Sequence, residues 1–286
     1  MMKILVTGAK GQLGSEIKEI SESYSNLSFV FTDVEDLDIC NYNLLKEFIV
    51  INNIEAIINC AAYTSVDLAE EQTELVEKIN VLGVRNLVNA MEFVNGKLIH
   101  ISTDYVFDGT NHLPYTEKDK ESPIGVYGVT KRNGELLVEN SIVDGIVIRT
   151  SWLYSNFGNN FVKTMLRLGK DRDVLNVIFD QVGTPTFAGD LALACLEILS
   201  KEKRIDSKGK IYHFSNEGVA SWYDFAIAIM EIGNIDCLVK PIETKDYPTK
   251  AQRPHYSVLN KAKIKSDFGV VVPYWRDSLK KSINKF

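Results

Sequence analysis

Of the 12 tyrosines in the chain, two are followed four residues later by a lysine: Tyr42 with Lys46, and Tyr127 with Lys131. Positions i and i+4 share one face of a helix, so an ammonium there can favour ionisation of the phenol and ease release of its proton. This is the chemistry of a general acid for a carbonyl undergoing reduction, and it calls for another group to polarise the carbonyl oxygen. Topology separates the two pairs. Tyr42 falls on the crossover between the second and third strand patterns, where nothing turns its helix toward a ligand. Tyr127 opens the helix pattern after Ile99-His100-Ile101-Ser102-Thr103, so the Thr103 hydroxyl is expected to converge with Tyr127 on one carbonyl while Lys131 tunes the phenol.

Such a set needs a hydride donor. Gly8-Ala9-Lys10-Gly11-Gln12-Leu13-Gly14 lies between a strand pattern and a helix pattern. Glycines in that context permit a tight turn, let backbone N–H groups approach a pyrophosphate, and allow close helix–strand packing beneath the positive helix terminus. A dinucleotide is therefore expected there. Asp33 ends the second strand, where a carboxylate can bond the adenosine ribose hydroxyls. It favours NADH over NADPH, because a 2′-phosphate would meet like charge with no arginine alongside. Asp38 and Ile39 follow in a loop that could either contact adenine or simply cap the helix beginning at Tyr42. Asn59-Cys60-Ala61-Ala62-Tyr63-Thr64 ends the third strand in small residues that would let backbone lie against the cofactor.

The elements that must position these groups alternate in the first half. Strand patterns at Lys3–Thr7, Leu27–Thr32, Ala56–Asn59, Leu98–Ser102 and Gly145–Arg149 are separated by helical periodicity at Gln12–Ser23, Tyr42–Asn52, Thr73–Val94 and Gly128–Asn140. This α/β pattern predicts a Rossmann-like, doubly wound parallel sheet over residues 1–150. Beyond Arg149 the rhythm becomes irregular, which predicts a smaller substrate-binding lobe over 151–286. Helical patterns at Phe187–Leu199 and Ser221–Ile232, with a strand-like Lys210–Phe214 between them, suggest that 187–232 returns in part to the first unit.

Composition narrows the classes. A net charge of -6 argues against a general nucleic-acid binder, and no apolar run reaches the length of a membrane span. The four cysteines, Cys40, Cys60, Cys195 and Cys237, form no Cys-x-x-Cys pair, so neither a zinc ribbon nor a dithiol redox motif is expected. The start runs directly into a strand pattern with no secretory signature, which predicts a cytoplasmic location.

Longer runs are more specific than the glycine turn or the Tyr-Lys spacing. Asn59 to Asp67, Ser102-Thr-Asp-Tyr-Val-Phe-Asp108, Tyr127-Gly-Val-Thr-Lys131, Arg149-Thr-Ser-Trp-Leu-Tyr154, Asn159-Asn-Phe161 and Tyr247-Pro-Thr-Lys-Ala-Gln-Arg-Pro254, together with Gly8–Gly14, resemble the extended short-chain dehydrogenase/reductase superfamily. Within it the chain resembles, over nearly its whole length, the family of dTDP-4-dehydrorhamnose reductases. The resemblance implies NAD(P)H-dependent reduction of dTDP-4-dehydro-L-rhamnose to dTDP-L-rhamnose, the last step in making an activated sugar for bacterial surface polysaccharides. Tyr127 would be the proton donor and Lys131 its partner. Thr103 would polarise the carbonyl, Thr103 and Asp104 would contact the deoxysugar, and Trp152 would pack against it. Gly11, Gln12, Leu13, Asp38, Ile39, Ala62, Tyr63, Thr64, Ile101, Tyr127 and Lys131 match positions where the family holds the dinucleotide. Arg253, between Pro248 and Pro254, is a candidate for the nucleotide phosphates.

The chain also departs from the family. Some members use magnesium bridged by glutamates at a dimer interface. Glu16 fits one such position, but Gly189 stands where another glutamate is expected, so no tight metal is predicted and a homodimer is left open. Dehydratases of the superfamily carry an acidic pair after the threonine, whereas here Asp104-Tyr105 offers one carboxylate, which counts against dehydration. A reductase of another 4-keto nucleotide sugar remains an alternative. So does a non-catalytic, dinucleotide-binding subunit resembling the regulatory subunit of methionine adenosyltransferase.

Overall fold

In a computed structural model, the protein is described over residues 1–201 and 210–285. Strand β1 (Met2–Thr7) leads through α1 (Gln12–Ile20) to β2 (Leu27–Thr32), α2 (Tyr42–Ile51) and β3 (Ala56–Asn59). Short helices α3 (Val66–Ala69) and α4 (Thr73–Glu77) precede α5 (Val84–Val94), β4 (Lys97–Thr103), α6 (Val126–Glu139) and β5 (Asp144–Thr150). These β-branched runs form a parallel sheet because helical crossovers cover both of its faces.

The strand order is β10-β5-β4-β3-β1-β2, and the edge strand β10 (Ile211–His213) comes from the second half of the chain. All pairings are parallel. Chain direction across the sheet reverses between β1 and β3, the kind of switch point where ligands bind beyond the strand ends. One face of the sheet is covered by Leu13 and Ile17 of α1, by Leu191 and Leu196 of α8 (Ala188–Ser200), and by Ile264 and Phe268 of α10 (Ala262–Phe268). The other face is covered by Leu45 and Ile49 of α2, Leu87 and Met91 of α5, and Val138 of α6.

A second cluster is built from later elements. These are β6 (Leu153–Tyr154), α7 (Phe161–Asp171), β7 (Val174–Ile178), β8 (Val182–Gly183), β9 (Thr186–Phe187), β11 (Ala220–Ser221), α9 (Trp222–Gly233), β12 (Leu238–Ile242) and α11 (Trp275–Ile283). They pair in three short ribbons, β12 with β7, β11 with β8 and β6 with β9, over a core that includes Tyr154, Phe187, Phe225 and Trp275. Ser221 caps α9 in a full capping box with Asp224, which sets the start of that helix. Residues 187–232 thus divide between the two cores: α8 and β10 pack with the large sheet, whereas α9 packs with the ribbons.

Two helices differ from their sequence patterns. The Thr73–Val94 pattern is interrupted by a π-helical turn over Lys78–Gly83. There the Asn80 side chain accepts from Tyr63 N at 2.9 Å and donates to Tyr63 O and Thr130 Oγ1, so tertiary bonds accompany the broken α ladder. The Gln12–Ser23 pattern leaves α geometry at Ile20 and tightens into a 3₁₀ turn over Ser21–Ser23. Among the described residues, no helix is long and apolar enough to cross a membrane.

Candidate active site

The turn after β1 is shaped by backbone contact. Gly8 adopts φ +63°, and a Cβ on it would stand 2.7 Å from Ala61 N, so the turn after β1 lies directly on the chain leaving β3. A Cβ on Gly14 would reach Gly8 O at 2.5 Å, which is why α1 can start so close beneath the turn. Gly8, Gly11, Gln12 and Leu13 line a cleft of about 920 Å³, within the range of ligand pockets. Asp33, Asp38, Ile39, Ala62 and Thr64 line the same cleft. Asp33 accepts from Lys10 N at 2.9 Å and from Val34 N at 2.8 Å. The exposed Lys10 ammonium pairs with Glu35 at 2.8 Å.

Gly14 and Tyr63 are not among the cleft residues. Gly14 supports the turn from below, while Tyr63 is held by Asn80 through its backbone and by Gln72 through its hydroxyl at 3.0 Å.

At the other end, strand β4 delivers Ile101, Ser102 and Thr103, and helix α6 delivers Tyr127 and Lys131, all to the cleft wall. Two features set the approach of α6. A Cβ at Gly128 would overlap Tyr105 O, so the helix touches the backbone just past β4. Its N-terminus has no side-chain cap of its own, and Glu70 fills that role by accepting from Val126 N at 2.9 Å. Lys131 donates to Ile101 O at 2.6 Å. The second Tyr-Lys pair lies elsewhere: the Lys46 ammonium sits 3.7 Å from the Phe93 ring centroid, against α5.

Electrostatics follow from burial. Tyr127 is pushed up to about 12 chiefly by burial, with the Thr103 hydroxyl bond opposing the shift and the Asp104 charge adding to it. Lys131 is drawn down to about 8 by burial, against the pull of Glu135 and Cys60. Asp104 is raised to about 6 by burial, opposed by the nearby Ser257 and by the Thr103 hydroxyl, which donates to its Oδ1 at 2.9 Å. Asp104 Oδ2, Ser102 Oγ and Thr150 Oγ1 are buried, have no hydrogen-bond partner among the described residues and belong to cleft residues, so they can pair with polar groups of a ligand.

Trp152 also lines the cleft. It adopts φ +48°, strained for a bulky side chain, and stacks on Trp222 with centroids 3.6 Å apart and planes 8° apart. Arg253 does not line the cleft. Its guanidinium forks onto Asp67, donating at 2.7 and 3.2 Å, which ties its loop to α3.

Several site groups carried no separate expectation. Lys10 was visible only as a filler between glycines, and Thr150 only as part of a run. Asn160 bonds Gln12 Oε1 at 3.0 Å while capping α7 by accepting from Lys163 N. Trp222 and Ser257 had no sequence signal that tied them to Trp152 and Asp104.

Glu16 and Gly189, the two positions weighed for a magnesium bridge, adjoin: a Cβ at 189 would stand 3.2 Å from Glu16 Oε2. Glu16 is buried and accepts from Ser155 Oγ at 2.6 Å; burial raises its carboxyl above the usual range, with the Ser155 bond opposing the shift. A side chain at 189 would begin 2.5 Å from the Phe187 ring. No group of three or more candidate ligands occurs among the described residues.

The family description RmlD substrate binding domain matches residues 2–286. The dTDP-4-dehydrorhamnose reductase of Aggregatibacter actinomycetemcomitans is 42% identical over 288 residues, covering 98% of each chain. The crystal structure of a dTDP-4-dehydrorhamnose reductase from Clostridium acetobutylicum is similar with a TM-score of 0.93 and 43% identity, covering 99% of both chains. That of the Bacillus anthracis enzyme in complex with NADP gives 0.93 at 36% identity and covers 100% of each. With the whole chain matched at these identities and the glycine turn and Tyr127-Lys131 pair on one cleft, the chain belongs to the dTDP-4-dehydrorhamnose reductase family.

Proposed function

We propose that this protein reduces the 4-keto group of dTDP-4-dehydro-L-rhamnose to give dTDP-L-rhamnose, using a reduced nicotinamide dinucleotide. The observation that carries the reading is the convergence of Thr103, Tyr127 and Lys131 at one end of a cleft whose other end is the Gly8–Leu13 turn. The turn, Asp33, Asp38 and Ile39 would hold the adenosine and pyrophosphate, while Ala62, Thr64 and Ile101 would border the rest of the cofactor. Bound there, the nicotinamide supplies the hydride.

The protein's own groups manage the proton. Burial keeps the Tyr127 phenol protonated, raised to about 12, so it is ready to donate to the forming alkoxide. Positive charge on Lys131 eases that release by stabilising the phenolate left behind. The Thr103 hydroxyl lies beside the phenol and, by turning its proton from Asp104 Oδ1 to the carbonyl oxygen, would polarise that oxygen, while Asp104 and the Trp152 ring would bound the deoxysugar. Arg253, paired with Asp67 outside the cleft lining, would reach the diphosphate only by exchanging partners. In this reading residues 1–150 carry the dinucleotide and 151–286 mainly carry the sugar nucleotide, with 187–232 shared between them.

Cofactor choice is set at one corner. The Asp33 carboxylate suits an adenosine ribose diol and favours NADH, while the exposed Lys10 ammonium gives a 2′-phosphate a partner, so NADPH is accepted as well. All these groups come from one chain, so a homodimer is not needed for the chemistry. A reaction between two diffusible nucleotides fits a cytoplasmic location. Substrate-dependent loss of reduced-nicotinamide absorbance with purified protein and dTDP-4-dehydrorhamnose tests the reading, and no loss would contradict it.

A further inference from the structure

The Arg149-Thr-Ser-Trp run contributes Trp152 to the cleft, yet its arginine points elsewhere. Arg149 is fully buried, as is Glu135 on α6. Its guanidinium forks onto that carboxylate, Nε to Oε1 at 2.8 Å and Nη2 to Oε2 at 2.7 Å, and Nη2 also donates to Glu121 at 2.6 Å. Arg149 sits on β5, opposite Ser102 of β4 in the register that puts Thr150 opposite Thr103. Tyr127, Lys131 and Glu135 follow one another at i, i+4 and i+8 on the buried stripe of α6. The fork therefore grips the same stripe that presents the reacting groups.

We propose that Glu135 is a positioning residue for the reductase reaction, its Arg149-clamped carboxylate fixing the reactive stripe of α6 and placing a negative charge one helical turn beyond Lys131. This rests on the carbonyl-reduction reading above. The surrounding charges support it. Arg132 donates to Glu135 at 3.2 Å, pairs with Glu139, and lies 3.4 Å from Glu121. Glu135 is thus held among two guanidiniums and two further carboxylates, and Lys131 stands one helical turn before it on the same face. Other groups facing Lys131 are Cys60 beyond β3 and His100 on β4, both held neutral by burial. His213 on β10 faces Arg149 and is also held neutral by burial, with Glu117 and Lys263 beyond it. Among these groups, Glu135 is the anion that supports the charged form of Lys131 from its own helix face.

The alkaline limb of kcat/KM tests the assignment, because a purely structural pair would change turnover or melting without moving it. A unit charge about one helical turn away in a protein interior shifts a lysine by about one to two pH units. Glu135→Gln is expected to move the limb toward acid by that amount, whereas Glu135→Asp, which keeps the charge, leaves it near its original place. The double variant E135Q/R149M removes both members of the fork without stranding the arginine; loss of the Arg149 cation offsets part of the loss of the Glu135 anion, so its limb should lie between those of Glu135→Gln and the original protein. A limb unmoved in folded Glu135→Gln, whatever the loss of turnover, would overturn the proposal. The two failures are distinguishable: an unmodified chain without turnover contradicts the reductase reading, whereas turnover with an unmoved limb contradicts only the role of Glu135.

Discussion

The Lys131 ammonium donates to the backbone carbonyl oxygen of Ile101 at 2.6 Å. Through that bond α6 is fastened to β4 two residues before Thr103, and the distance from the threonine to the Tyr127 phenol is set by two rigid elements rather than by a loop. Glu70 at the start of the helix and Arg149 beneath its third turn add further points of attachment. The arrangement gives the reacting end of the cleft little freedom to rearrange.

Tyr127→Phe removes the phenolic proton and little volume. Turnover should fall by about a hundredfold to ten-thousandfold, the usual contribution of a positioned general acid. Cofactor affinity, followed by fluorescence titration, should stay within a few-fold of the original. Unchanged turnover would remove Tyr127 from the mechanism.

Gly14→Ala puts a methyl 2.5 Å from the Gly8 carbonyl oxygen, and backbone cannot move aside as a side-chain tip can. The variant should lose about 1–3 kcal/mol of stability by overpacking and raise the KM for the dinucleotide. Thermal melting and cofactor kinetics measure both, and an unaltered KM would show that the turn does not carry the pyrophosphate.

Asp104 gives a pH-dependent signature. An unfolded aspartate titrates near 3.8, whereas burial raises Asp104 to about 6 in the folded chain. Below the lower value both states are protonated and nothing is lost. As pH rises between the two, the unfolded chain ionises first, so stability falls and then levels off above about pH 6, with a cost of about 3 kcal/mol. Asp104→Asn should therefore melt higher than the original protein near pH 8, with the gain gone by about pH 4, while turnover drops. A gain independent of pH would show that ionisation is not its source.

Asp33→Ala and Lys10→Met separate the two cofactors. Losing the carboxylate should cost NADH about tenfold in kcat/KM, the value of a charged hydrogen bond, and cost NADPH less. Losing the ammonium should do the reverse. Equal effects on both cofactors in both variants would place the adenosine ribose elsewhere.

Much of the sheet was legible because parallel strands buried on both faces must be apolar and their crossovers must be amphipathic. The strand patterns at Leu27–Thr32 and Ala56–Asn59 match β2 and β3 residue for residue. The π turn at Lys78–Gly83 was not legible, since Asn80 acts through Tyr63 and Thr130, which are distant in sequence. In the cleft, the glycine turn and the Tyr127-Lys131 pair could be placed from strand order alone. The Tyr42-Lys46 pair shows the limit of spacing by itself, for Lys46 ends on the Phe93 ring. Arg253 was visible as an arginine between prolines, but its fork onto Asp67 spans 186 residues and no local pattern encodes it. The Trp152–Trp222 stack is likewise a product of the lobe's packing.

The central claim is hydride delivery to one carbon of one sugar nucleotide. Dinucleotide carrying deuterium at its transferable position should be incubated with the protein and dTDP-4-dehydrorhamnose, and the product analysed by mass and NMR. The account predicts dTDP-L-rhamnose with one deuterium at C4 of the deoxysugar, formed by the original chain and almost absent with Tyr127→Phe. Product without deuterium at C4, or no product while the dinucleotide still binds, would contradict it.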